Sequence, residues 1–114
     1  MRLNSVLRIN VYSPPKNARQ IIEAVSAVCE LRYGDYDHVA WTSSPGTEQF
    51  RPLPGSNPTV GEQGELTALP SVRIEFSVPD DDEILKQVVT EAIVPNHPWE
   101  SPVIVVARES EVLV

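Results

Sequence analysis

The clearest pattern in the chain is a strict alternation of apolar and polar residues. Residues 6–12 (VLRINVY) and 72–78 (VRIEFSV) place every second side chain on one apolar face. A period of two predicts β-strands with one buried face. Residues 36–43 (YDHVAWTS) also carry strand-forming side chains, and residues 103–107 (VIVVA) are almost continuously apolar. Such a run is typical of a strand that is covered on both faces or lies at a subunit interface.

Two segments between these strands repeat apolar residues at helical spacing. The first follows Ser13 and Pro14, a predicted N-cap and first helical residue, and Gly34 lies near its end. Its apolar stripe consists of Ala18, Ile21, Ile22, Val25, Val28 and Cys29. The second opens with the acidic run 80–83, a predicted capping box, and Pro95 is expected to stop it. Its stripe consists of Ile84, Leu85, Val88, Val89, Ala92 and Ile93.

Residues 44–70 have no regular period and are rich in proline and glycine. This composition predicts a chain of turns with short extended pieces. Apolar residues at irregular intervals, among them Phe50, Leu53 and Val60, indicate a loop that packs against the rest of the molecule.

The order of these segments is β-α-β-loop-β-α-β, which predicts an α+β fold of the ferredoxin-like type. We expect one domain over residues 1–114, with a four-stranded antiparallel sheet, both helices on one face and the long loop between strands 2 and 3. The other face of the sheet must then be solvated or covered. The apolar last strand favours covering, so we expect a homo-oligomer, a dimer or a trimer.

Composition narrows the classes of partner. The formal net charge is −7, which argues against nucleic acid because phosphates require clustered Lys and Arg. No apolar run approaches the roughly 20 residues of a membrane span. The single cysteine, Cys29, lies on an apolar stripe and is expected to be a core residue. A cysteine that cannot form an internal disulfide suggests a cytoplasmic protein.

Few side chains suggest chemistry. His38 and His97 are the two histidines, and neither lies in an HxxxH or HxH pair, so the spacing identifies no metal site. No phosphate-binding glycine loop and no nucleophile motif is present, and no cofactor is indicated. Arg73 and Glu75 share the polar face of one strand, where they could pair with each other across subunits or hold a polar ligand.

Several short motifs occur in one order along the chain. They are Gly34-x-Tyr36-x-His38, Gly46-x-x-x-Phe50-x-Pro52, Gly55-x-x-Pro58-x-x-Gly61-x-x-Gly64, Arg73-x-Glu75 and His97-Pro98-Trp99-Glu100-x-Pro102. In this combination the chain resembles the insertion domain of the Nif-three-like (YqfO-type) family, in a form that also occurs as a stand-alone protein. Glu48, Trp99 and Ser101 depart from the family pattern, which usually has glycine, tyrosine and glutamate there.

The resemblance implies a fold similar to the CutA and PII signalling proteins, which assemble through their sheets and place ligands in clefts between subunits. In the longer relatives the module is inserted into a metal-binding domain and is thought to influence access to the metal. The metal ligands belong to that larger domain, so the resemblance implies no metal role for the residues of this chain.

Three functions follow as hypotheses. The first is a non-catalytic regulatory or sensor module that binds a small ligand, a metal ion or a partner protein. Its candidate site residues are His38, Arg73, Glu75, His97, Trp99 and Glu100. The second is a structural, oligomerising adaptor without a ligand. The third is an enzyme in which His97 and Glu100 form an acid–base pair, for which the sequence supplies neither an oxyanion site nor an activated nucleophile.

Overall fold

The computed structural model of the protein describes residues 1–114. Five strands form the sheet: β1 (Arg2–Ser13), β2 (Trp41–Thr42), β3 (Gly46–Phe50), β4 (Thr67–Pro79) and β5 (Ile104–Leu113). The helix α1 (Ala18–Val28) follows a 3₁₀ turn at Pro15–Asn17. A second helical run begins with α2 (Asp82–Gln87), continues through a π-helical segment (Val88–Ile93) and ends with α3 (Val94–Asn96).

All strand pairs are antiparallel, and the strand order is β2-β4-β1-β5. The central strand β1 pairs with β4 from Val6↔Pro79 to Ser13↔Val72 and with β5 along nearly its whole length. Both helices pack on one face of this sheet. The alternating apolar residues of β1 and β4 meet them there in a core of 14 buried residues that includes Ile9, Ile21 and Phe76. The predicted ferredoxin-like α+β fold is therefore confirmed.

The strand count is five rather than four, because the second predicted strand is divided. Thr42 pairs with Ile74, and Gly46 pairs with Ser71. Between these two pairs the chain from β2 to β3 advances by four residues, while β4 advances by only three. This one-residue β-bulge lies around Ser44 and Pro45, where proline cannot donate a ladder hydrogen bond. As a result, β3 and the first half of β4 lie inside the predicted 44–70 loop, and only residues 51–66 connect them.

Several predicted boundaries are wrong. Residues 36–40 are not in a strand, and His38 has φ 56°. Ser13 ends β1 instead of capping the helix. The N-cap of α2 is Asp81, whose carboxylate accepts hydrogen bonds from the Glu83 and Ile84 amides. Pro95 lies within the helical run, where the preceding π-helical turn accommodates its missing N–H.

The arm that extends the molecule is formed by β4. Its first half, Thr67–Ser71, continues past the end of β1 and pairs only with β3, so a two-stranded arm projects from the sheet. The molecule accordingly measures 51 × 28 × 22 Å. None of its helices has the length and apolar character that crossing a bilayer requires.

Candidate functional site

The segment 97–103 lies at the point where β1 ends and the arm begins. The Tyr12 amide donates a hydrogen bond to the Val103 carbonyl, 3.1 Å away, and the His97 ring lies 2.7 Å from the Tyr12 carbonyl. These contacts hold the segment beside the last residues of β1. We call residues 97–103 the turn and residues 51–66 the loop.

The loop folds back onto the turn. The Asn57 amide donates to the Glu100 carboxylate at 3.0 Å, and the Thr59 hydroxyl donates to the Pro98 carbonyl at 2.8 Å. The rings of Phe50 and Trp99 lie 5.9 Å apart at an angle of 50°. A tilted aromatic pair at this separation is a favourable packing geometry. The loop therefore packs against the rest of the molecule through these contacts with the turn.

Between the loop and the turn lies a cavity of about 420 Å³, which we call the loop–turn cavity. This volume falls within the usual range of small-molecule sites, roughly 300–1,000 Å³. Its walls are mainly apolar. They are formed by Phe50, Pro52, Leu53, Pro58, Val60, Trp99 and Val103, and the charged residues among them are Glu48, Arg51 and Glu100.

His97 supports the turn from behind. Its Nε2 donates to the Tyr12 carbonyl and its Nδ1 accepts the Trp99 amide hydrogen, 3.1 Å away. The carbonyl can only accept and the amide can only donate, so these partners require a neutral ring with its hydrogen on Nε2. The ring also meets Trp99 edge-on at 5.3 Å and is buried. Both nitrogens of His97 are therefore engaged within the protein.

Arg73 and Glu75 lie elsewhere, on the face of the sheet opposite the helices. Glu75 accepts a hydrogen bond from Arg8 Nε at 2.8 Å and lies 3.4 Å from Arg73 Nε. The Arg73 guanidinium also stacks 5.0 Å above the Trp41 ring. The polar side chains of β1 and β4 thus form a charged network on this open sheet face, which we define by Arg8, Trp41, Arg73 and Glu75. The pairing of Arg73 with Glu75 occurs within one chain.

The candidate residues named from the sequence therefore fall into three places. Trp99 and Glu100 line the loop–turn cavity with His97 behind them, Arg73 and Glu75 lie on the open sheet face, and His38 is exposed beside Asp37. Sequence reasoning missed Glu48 and Arg51 as cavity residues and Arg8 as the partner of Glu75. Only the alternation of β1 could have pointed to Arg8. No three His, Cys, Asp or Glu side chains converge in a way that could hold a metal ion.

No protein-family model matches the chain. It is 34% identical over 93 residues, 82% of its length, to a Bacillus subtilis protein named GTP cyclohydrolase 1 type 2 homolog. Among solved structures, a Bacillus cereus protein related to NIF3 superposes with a TM-score of 0.76 at 25% identity, covering 96% of the chain. The predicted resemblance to the Nif-three-like proteins is confirmed.

The match involves only part of those proteins. The chain spans about a quarter of the length of the relatives it matches, 24% of the Bacillus subtilis protein and 27% of the Bacillus cereus protein. CutA from Synechococcus elongatus gives a TM-score of 0.63 at 18% identity and is covered to 85% of its length. At this identity the likeness concerns the fold, which is of the CutA type.

Proposed function

We propose that this chain is a regulatory or sensor-type module that binds a small ligand in the loop–turn cavity and acts as a homo-oligomer. The observation that carries the proposal is the cavity itself. It has the volume of a ligand site, its walls are aromatic and apolar, and a few polar groups converge on it. Hydrogen bonds from the loop to the turn hold its two walls together.

The open sheet face supports the homo-oligomer. It carries arginine and glutamate side by side, so a second copy offers the opposite charge to each. Next to this network, Val105 is a large apolar side chain left exposed to solvent. A second copy of the face would cover it.

The geometry gives less support to an acid–base pair formed by His97 and Glu100. Both ring nitrogens of His97 have protein partners, and the Glu100 carboxylate is bonded to the loop amide. The activity named in the Bacillus subtilis relative describes a protein of which this chain matches a quarter, so the proposal rests on the cavity instead.

Native mass spectrometry of the purified protein tests both parts of the proposal. We expect a multiple of the 12.6 kDa chain mass that carries a reproducible additional mass. Ser101 is an exposed cavity residue without hydrogen bonds of its own, so Ser101→Trp should fill the cavity and remove the additional mass while the subunit number stays the same.

The matched control is Thr90→Trp, an exposed helical position that does not line the cavity, and it should retain the additional mass. A bare monomer would contradict the proposal. An oligomer that never carries additional mass would instead favour the structural adaptor.

A further inference from the structure

The charges in the loop–turn cavity limit what it can bind. Three charged side chains line it, the carboxylates of Glu48 and Glu100 and the guanidinium of Arg51, and none of them forms an ion pair within the chain. The lining is therefore net negative, within a chain of net charge −7. A field of one sign attracts ligands of the opposite sign.

The carboxylates of Glu48 and Glu100 each accept a protein hydrogen bond at only one of their two oxygens. Glu48 Oε1 accepts from the Ser71 hydroxyl at 2.8 Å, and Glu100 Oε2 accepts from the Asn57 amide at 3.0 Å. The other oxygen of each carboxylate has no hydrogen-bond donor within the protein. The protein contacts hold both side chains in position, and a free acceptor remains on each for a donor from a ligand.

The apolar part of the wall favours a flat, aromatic ligand. Phe50 and Trp99 line it together with proline rings and Val60, and the Phe50 and Trp99 rings lie 5.9 Å apart. Aromatic faces attract both aromatic rings and organic cations. Phosphate groups, in contrast, would meet two carboxylates and a single arginine.

The following inference rests on the proposed ligand-binding function. We infer that the loop–turn cavity binds a small organic cation, with an ammonium or amidinium group attached to an aromatic ring. The aromatic body packs against Trp99 and Phe50. The cationic group donates hydrogen bonds to the free oxygens of Glu48 and Glu100.

Three probes that share one ring separate charge from shape: phenethylamine, which is a cation at neutral pH, neutral 2-phenylethanol, and anionic 3-phenylpropionate. Binding is followed by the nitrogen-15 NMR signal of the Trp99 indole N–H in the full chain. The protein has two tryptophans, and Trp41→Phe assigns the signals. We expect phenethylamine to shift the Trp99 signal saturably, with an affinity about tenfold or more above that for 3-phenylpropionate.

Glu48→Gln and Glu100→Gln keep an oxygen for Ser71 and Asn57, and replace the charged free oxygen by a neutral amide N–H₂. Each should weaken phenethylamine several-fold and leave 2-phenylethanol unchanged. Glu62→Gln, an exposed loop residue outside the cavity lining, should change neither. If all three probes bind equally at Trp99, the inferred ligand class is wrong and the cavity remains a ligand site. If no probe shifts Trp99 and Ser101→Trp removes no mass, both the inference and the proposed function fail.

Discussion

The imidazole of His97 joins the end of β1 to the turn that forms one wall of the cavity. It is 8% exposed, and its two hydrogen bonds satisfy the Tyr12 carbonyl and the Trp99 amide. Leaving a buried donor or acceptor without a partner costs about 1–3 kcal/mol. At the scale of single residues, this histidine is therefore a structural support that also orients Trp99.

His97→Asn should lower the free energy of unfolding by about 2 kcal/mol or more, because asparagine is too short to reach both partners. Urea denaturation measures this change. His38→Asn is the matched control: His38 is exposed, and asparagine tolerates its positive φ, so the expected change is within about 0.5 kcal/mol. Equal effects of the two substitutions would contradict the supporting role of His97.

The sequence singled out the turn, but not the part that each of its residues plays in the structure. Trp99 and Glu100 were named as candidate site residues in the motif His97-Pro98-Trp99-Glu100, and both line the cavity. Glu48 could not be found in this way, because the nearby bulge and the pairing of β3 with β4 place it beside a turn that begins only at His97. The partners of His97 are backbone groups, which carry no signal in the sequence.

The carboxylate of Asp80 links three parts of the fold. Asp80, at the junction of β4 and α2, accepts hydrogen bonds from Ser5 of β1 at 2.7 Å and from Arg108 of β5 at 3.0 Å. The hydrogen bond from the Ser5 hydroxyl and the nearby Arg108 guanidinium hold the pKa of Asp80 below its usual value of 3.8. The acidic run that the sequence assigned to helix capping is thus divided, with Asp81 capping α2 and Asp80 linking strands.

Because the folded-state pKa of Asp80 is depressed, its stabilising contribution is present above pH 3.8 and is lost as the pH falls through the folded-state value. Asp80→Asn should therefore be less stable than the wild type at pH 7, with a small difference that shrinks below pH 3.8. Thermal unfolding across the acidic range measures this. Glu109→Gln, an exposed β5 residue without a side-chain partner, should show no such dependence on pH. A difference that grows on acidification would have the wrong sign.

Regular alternation and helical spacing were enough to predict β1, the second half of β4 and both helices. The secondary-structure predictions fail where the local propensity of a segment disagrees with its pairing in the folded molecule. Pro95 is a helix breaker by local rules, yet the π-helical turn before it lets the helical run continue to Asn96. Residues 46–50 have no apolar period because β3 projects away from the core, and only its pairing with β4 defines it as a strand.

At the scale of the whole molecule, the helices cover one face of the sheet and leave the other open. Val105 on this open side is 49% exposed and pairs in register with Asn10. The sequence predicted this apolar last strand, and the proposed homo-oligomer would cover its exposed side.

Val105→Glu should reduce the proposed homo-oligomer to monomers, because its interface would have to bury a charge without a partner. Light scattering coupled to size-exclusion chromatography gives the mass. Val94→Glu, which is 48% exposed in the helical layer, is the matched control and should leave the mass unchanged. An unchanged mass for Val105→Glu would place the interface elsewhere on the molecule.

The bulge at Ser44 and Pro45 sets which side chains the arm presents to the turn. With the extra residue, Phe50 pairs with Thr67 and Glu48 with Leu69. If the register of Trp41↔Glu75 continued unbroken, Gln49 would lie opposite Thr67 instead. A straightened strand of the same length would therefore exchange the aromatic ring that meets Trp99 for an amide. Deleting Ser44 or Pro45 would instead remove the bulge and keep Phe50 opposite Thr67. The bulge thus absorbs one residue of chain length, and the position of the Phe50 ring beside Trp99 depends on this rather than on any side chain of the cavity.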